Sequence, residues 1–328
     1  MIDKQKEEEF YSKPFNFSYS SLNRLLFSPS LFYKDYILKD REIRTDKHLI
    51  EGKLVHCLVF QPEKMSDLFS MVPGKVPSDS VKKVLRGVKE TVSDNNDLDT
   101  LDPMILACLK EHNLYQSLKT DDQRLAKVKT PDNQNYYEFI CTTGKDVIDN
   151  DTLLRCQDQA DIIKHNPKVM ELFNTGVTDF ELDTLEVFKE KPLECKLQNY
   201  DFGLKGILDY YTMDHDKKTF HIIDLKTTSK TISDFTDSVD YYNYWLQAAI
   251  YVTLVLNNHT IAKKGSYKIL FTFVVIDKYN QIYPFTVSET TMNLWAKGLE
   301  GVLDAANYHF KERNYSLPYE FLSGEVVL

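Results

Sequence analysis

From Thr178 onward the chain changes texture, and that change limits its fold more than anything else in the sequence. Four stretches, 180–189, 193–197, 204–213 and 220–227, alternate apolar with polar residues at the two-residue period of half-buried strands. The polar segment Asp214-His215-Asp216-Lys217-Lys218 ties the last two into an antiparallel hairpin. A long helix over about 234–256 follows, then strands at 267–276 and 281–287 and a closing helix over 290–313. Upstream the periodicity is helical. Ser18 to Ser21 cap a helix starting near Ser20, and Ser28-Pro29 stops it and opens another over 31–38. Further helices are expected at 47–60, 79–92, 102–118 and 151–165, with loops at 73–80 and 93–103 and a strand at 136–142 before Gly144. This order predicts an α/β (α+β) fold with a mixed central β-sheet flanked by helices. A helical N-terminal portion would cover 1–175 and the sheet-bearing core 176–328, integrated as one domain.

Composition narrows the class. The chain has 328 residues, 42% of them hydrophobic, so it can bury a sizeable core. The N-terminus lacks the apolar segment of a signal peptide, and no apolar run reaches the roughly 18 residues of a membrane span, so a cytoplasmic protein without a membrane partner is expected. Five scattered cysteines form no C-x-x-C pair, which argues against a disulfide framework or a zinc site. Net charge is −9, from 40 basic and 49 acidic residues. A protein that holds nucleic acid chiefly by neutralising phosphates is usually basic. Any such contact here would be local, with Lys82, Lys83, Arg86 and Lys89 of one expected helix as candidates.

The strand at 220–227 carries Asp224 and Lys226, two residues apart and therefore on one face. An acid–x–lysine triplet alone says little, since Glu51–Lys53, Glu194–Lys196 and Asp216–Lys218 share it. Glu51 and Lys53 fall on a helix, where such positions diverge, and Asp216 and Lys218 fall in the hairpin turn. Only Asp224 lies deep in an apolar strand whose hairpin partner also bears an acid, Asp209. Two readings of these residues stand. One is a strand-end ion pair with Asp209 capping a turn. The other is a site in which two carboxylates offer hard oxygen ligands to Mg²⁺ and Lys226 stabilises charge on a reacting phosphate. The sequence does not fix the protonation state of Lys226, because the acids raise its pKa while a metal and desolvation lower it.

Asp209 followed by Asp224-Leu225-Lys226 resembles the PD-(D/E)xK nuclease superfamily. Gly52-Lys53-Leu54-Val55-His56 is similar to the G-x-x-x-H helix of its RecB-type exonuclease branch, and Gln247-Ala248-Ala249-Ile250-Tyr251 to the Q-x-x-x-Y helix of that branch. Ser18 to Leu22 with Ser28-Pro29, Lys205-Gly206 and Thr227-Thr228 resemble phage and prophage exonuclease VIII (RecE-like) proteins. The resemblance spans about 16–60 and 194–255. It implies a restriction-endonuclease-like core and hydrolysis of phosphodiester bonds in linear duplex DNA, 5′ to 3′, in phage-type recombination. Endonucleolytic host–phage defence and a catalytically idle DNA-binding relative are the alternatives. It further implies Mg²⁺, with Mn²⁺ as a substitute, held by His56, Asp209, Asp224 and the Leu225 carbonyl. Lys226 would be the catalytic lysine, Gln247 and Tyr251 would orient the site or contact DNA, and Glu194 would support it from outside. Implied partners are double-stranded DNA ends, a single-strand annealing protein and further copies of the chain in a ring. Relatives with an iron–sulfur cluster carry cysteines after the Q-x-x-x-Y helix. Here no cysteine follows Cys195, so no cluster is expected.

Overall fold

Strand β5 (Gly203–Asp214) is the spine of the sheet, because its two edges are used unequally. The computed structural model describes residues 2–41, 46–92, 97–142, 144–173, 184–263 and 267–324. The chain forms two compact units, one of residues 1–44 and 158–328 and one of residues 45–157. The expected boundary near residue 175 falls inside the first of these.

In the first unit, β4 (Leu185–Lys196) runs antiparallel along the whole of one edge of β5. The other edge is shared. β1 (Asn16–Phe17) pairs in parallel with Gly203 and Leu204, and β6 (Thr219–Thr228) pairs antiparallel with residues 210–214. Beyond β6 lie β7 (Lys268–Asp277), parallel to it, and the antiparallel β8 (Ile282–Thr286). The mixed sheet flanked by helices is therefore as expected. Alternation along β6 and β7 sends Phe220, Ile222, Phe271, Phe273 and Val275 to one face, where they pack with Leu246, Ile250, Tyr251 and Leu254 of the helix Tyr244–Asn258. The helix Glu289–Glu312 packs outside that one, contributing Leu299, Leu303 and Ala306 to the same core. Gly298 permits the approach, since a Cβ there would stand 3.0 Å from the Trp245 ring.

Three expectations for this unit need correction. The strands read at 180–189 and 193–197 are a single strand from Leu185, with 180–183 outside the described residues. Glu190-Lys191-Pro192 looks like a break in sequence; in the structure it is a kink, with Glu190 at φ 44°. The helix expected over 234–256 is divided into Phe235–Tyr241 and Tyr244–Asn258, hinged at Asn243 in the left-handed region (φ 56°), which asparagine tolerates better than most residues. The segment expected as a helix at 31–38 is a short α-turn, Pro29–Phe32, running into a π-helix, Tyr33–Ile37.

The second unit holds helices Lys47–Phe60, Asp79–Thr91, Asp102–Glu111, Asp121–Val128 and Pro131–Cys141, with a small parallel pair of β2 (Phe69–Met71) and β3 (Asp146–Ile148). Val84, Leu85, Val88, Ile105, Leu109 and Tyr137 form its core. The strand expected at 136–142 is instead the last part of the helix Pro131–Cys141. Thr130 caps it through Asn133 N–H, and Pro131 occupies its first turn, a start signal that outweighs the β-propensity of Tyr136 and Tyr137. In the basic helix Asp79–Thr91, Lys82 pairs with Asp79 and Lys89 donates to the Ile140 carbonyl, so two of the four candidate cations are engaged locally. Among the described residues no helix is long and apolar enough to cross a membrane.

Candidate active site

The antiparallel register of β5 and β6 pairs Tyr210 with Ile223 and stops there. One step further it would set Asp209 opposite Asp224, but the strands part at that point. The Asp209 carboxylate takes the place of the ladder, accepting a hydrogen bond of 2.8 Å from the Leu225 N–H. A strand residue's N–H and C=O leave the backbone on the same side, so the Leu225 carbonyl faces this opening too. Since the register places Tyr211 opposite Ile222, Asp209, Asp224 and Lys226 share the face covered by the helix Tyr244–Asn258.

Burial there is deep. Asp224 is fully buried and Asp209 is 8% exposed. Lys226, with 13% of its side chain exposed, makes an ion pair with Asp224. Its ammonium also lies 4.9 Å from the centre of the Tyr244 ring. Desolvation pulls the Lys226 pKa down, but the charges of Asp224 and Asp209 outweigh it and hold the pKa above its usual value.

Sequence reasoning missed Glu190. In β4, Lys189 pairs with Tyr210 and Lys191 with Leu208, so Glu190 lies opposite Asp209. Their carboxylate oxygens come within 4.8 Å of each other. The left-handed backbone at Glu190 is unusual for a non-glycine residue in a strand, and such strain concentrates at functional positions. Two acids this close repel unless a cation sits with them, and carboxylate oxygens are the donors that Mg²⁺ or Mn²⁺ prefers. The donor set thus fits a divalent ion. Glu194, the acid singled out in the sequence, pairs with Lys205 further along, is exposed, and accepts from Asn16 Nδ2 at 3.1 Å. No signal short of the β4–β5 register distinguishes the two glutamates.

Gln247 and Tyr251 lie one helical turn apart, both buried, on the helix over the site. Gln247 Nε2 donates to the Tyr251 hydroxyl at 2.9 Å, and that hydroxyl donates to the Ile207 carbonyl at 2.8 Å, two residues before Asp209. The pair braces β5 where it lacks a strand partner on its β6 side. Gly206 makes room for this, since a Cβ there would be 3.0 Å from the Tyr251 ring edge. Tyr251→Phe is expected to lower stability by about 1–3 kcal/mol, because the Ile207 carbonyl and the Gln247 amide lose a shared partner in a dry place. Urea unfolding checks this, and a midpoint equal to the parent's would refute the bracing role. His56 lies half-buried on the helix Lys47–Phe60 of the second unit, with its ring 6.1 Å from that of Phe60.

A mixed sheet in which adjacent strands part around buried acids and a lysine gathers the groups that metal-assisted chemistry on a phosphate needs. The chain belongs to the PD-(D/E)XK nuclease superfamily, whose family profile matches residues 147–315. Among solved structures, a "Putative exonuclease" from Eubacterium rectale aligns over 100% of this chain and 91% of its own, at 11% identity and a TM-score of 0.45. No curated protein matches the sequence at a significant level.

Proposed function

We propose that this nuclease is a Mg²⁺-dependent exodeoxyribonuclease that digests one strand of linear duplex DNA from its 5′ end and supplies a 3′ overhang to a strand-annealing partner in phage-type recombination. The observation that carries the metal-dependent chemistry is the opening between β5 and β6, where Asp209 bonds the Leu225 N–H beside the buried Asp224–Lys226 pair. Asp209, Asp224, Glu190 and the Leu225 carbonyl would hold the ion. His56 joins them on its likeness to the G-x-x-x-H motif. In such a donor set a divalent ion supplies polarisation of a phosphoryl oxygen and acidification of water. Lys226, held beside Asp224, would donate to the phosphate as negative charge builds on it. Asp224 and the Tyr244 ring fix the direction of that ammonium, and Gln247 and Tyr251 fix the β5 backbone behind Asp209. The exonuclease polarity, the annealing partner, a ring of copies around the duplex and action in a bacterial or phage-infected cytoplasm rest on the exonuclease VIII-like motifs.

Linear and covalently closed circular duplexes, each incubated with Mg²⁺, Mn²⁺ or EDTA, test the proposal. Progressive loss of the linear form alone, stopped by EDTA, is the expected result. Cutting of circles would replace the exonuclease reading with an endonuclease. Intact DNA under every condition would mark an idle member of the family.

A further inference from the structure

Three tyrosines lead from the site to the surface along the hinge between helices Phe235–Tyr241 and Tyr244–Asn258. Lys226 Nζ sits 4.9 Å from the Tyr244 ring, that ring is 5.4 Å from Tyr242, and Tyr242 is 4.8 Å from Tyr241. Exposure rises along the series. Tyr244 is mostly buried, Tyr242 is 41% exposed and Tyr241 is 75% exposed, so a large aromatic face is open to solvent. A second cation accompanies the two outer rings, with Lys230 Nζ 5.1 Å from the centre of Tyr241 and 5.6 Å from that of Tyr242. The hinge is held firmly. Tyr19 donates to the Tyr242 carbonyl, Asn243 Nδ2 to Asn23 Oδ1 at 2.8 Å, and Trp245 Nε1 to Asn243 Oδ1 at 3.0 Å.

Tyr241 and Tyr242 are neighbouring exposed tyrosines that share a lysine beside a left-handed hinge. Aromatic faces next to a cation suit a ligand that offers both π-surfaces and phosphates at nucleotide spacing, and an unpaired DNA strand does so. A paired duplex end hides its base faces, except on the terminal pair. We propose that Tyr241 and Tyr242, with Lys230, form a stacking platform that holds unpaired nucleotides of the strand entering the site, with Lys226 and Tyr244 at its inner end. This deepens the nuclease reading by naming unstacked single-stranded DNA as the form of substrate gripped beside the metal ligands, and it rests on that reading.

Anisotropy of a fluorescent dT12 oligonucleotide, with EDTA present to prevent hydrolysis, tests the platform without reading activity. The parent protein is expected to bind dT12. Tyr241→Ala and Tyr242→Ala should each weaken binding about tenfold, with melting temperatures near the parent's. Tyr241→Trp should keep the affinity. Three results would overturn the platform: no dT12 binding by the parent, unchanged affinity in Tyr241→Ala, or a loss in Tyr241→Phe as large as in Tyr241→Ala, which would assign the contact to the hydroxyl. Hydrolysis of thymidine 5′-(p-nitrophenyl phosphate) with Mg²⁺, measured alongside, reports on the metal site alone. Its absence would fault the nuclease reading and leave the binding result to stand by itself.

Discussion

Replacing Asp224 with asparagine is expected to slow Mg²⁺-dependent digestion of linear DNA by about a thousandfold, the scale at which removal of one well-placed electrostatic group usually acts. Asparagine keeps the shape of the side chain but removes the charge that would bind metal and that fixes Lys226. The cost to stability should be moderate, about 1–3 kcal/mol, because the Asp209 carboxylate still faces the Lys226 ammonium. Rates on an end-labelled duplex, with melting curves alongside, separate the two effects. A folded Asp224→Asn protein digesting within tenfold of the parent would remove this site from the chemistry. Glu194→Gln supplies the contrast. It changes an exposed acid bonded to Asn16 and should leave the rate within a few-fold of the parent's.

The second large effect concerns folding. At Gly203 a Cβ would collide with both Asn16 Oδ1 and the Cys195 carbonyl, because β5 is gripped there between β1 and β4. One of those obstacles is backbone and cannot rotate away. Gly203→Ala should therefore cost about 3 kcal/mol, the upper range for overpacking, and lower the melting temperature by roughly 6–12 °C. Gly206→Ala meets only the Tyr251 ring edge and a Leu254 methyl, at 3.0 and 3.1 Å, and both can shift a few tenths of an ångström. Its cost should be clearly smaller. Calorimetry of the two variants decides the matter, and equal melting temperatures would show that the β1–β5–β4 junction yields more readily than its geometry indicates.

How far the sequence could be read depended on whether the deciding contacts were local. The helix Lys47–Phe60 and the strands β5 to β8 follow from periodicity and turn residues, and their limits lie close to those expected. That Asp209 and Asp224 come to the same end of one hairpin was legible because its turn fixes the register, although the ladder itself stops one step short of them. Glu190 was not legible, since its place opposite Asp209 depends on the register across the β4–β5 connection and on a kink that resembles a strand break. β1 escaped for a similar reason. Two residues paired with a distant strand leave no period to detect. The hinge at Asn243 lay hidden inside an unbroken run of apolar spacing, where only the left-handed tolerance of asparagine hinted at it.

The β1–β5 pairing also bears on how the chain assembles. Asn16 meets Gly203 across a separation of 187 residues, the difference of their positions. Phe15 and Phe17, which finish among the core aromatics, must therefore wait in the nascent chain until β5 has been synthesised, and β7 follows only at residue 268. Contacts closed over such long loops form late and slowly, and unsatisfied aromatic segments in the meantime attract one another between chains. Refolding from denaturant should accordingly be slow and sensitive to protein concentration, with the N-terminal strand among the last pieces to gain protection from hydrogen exchange.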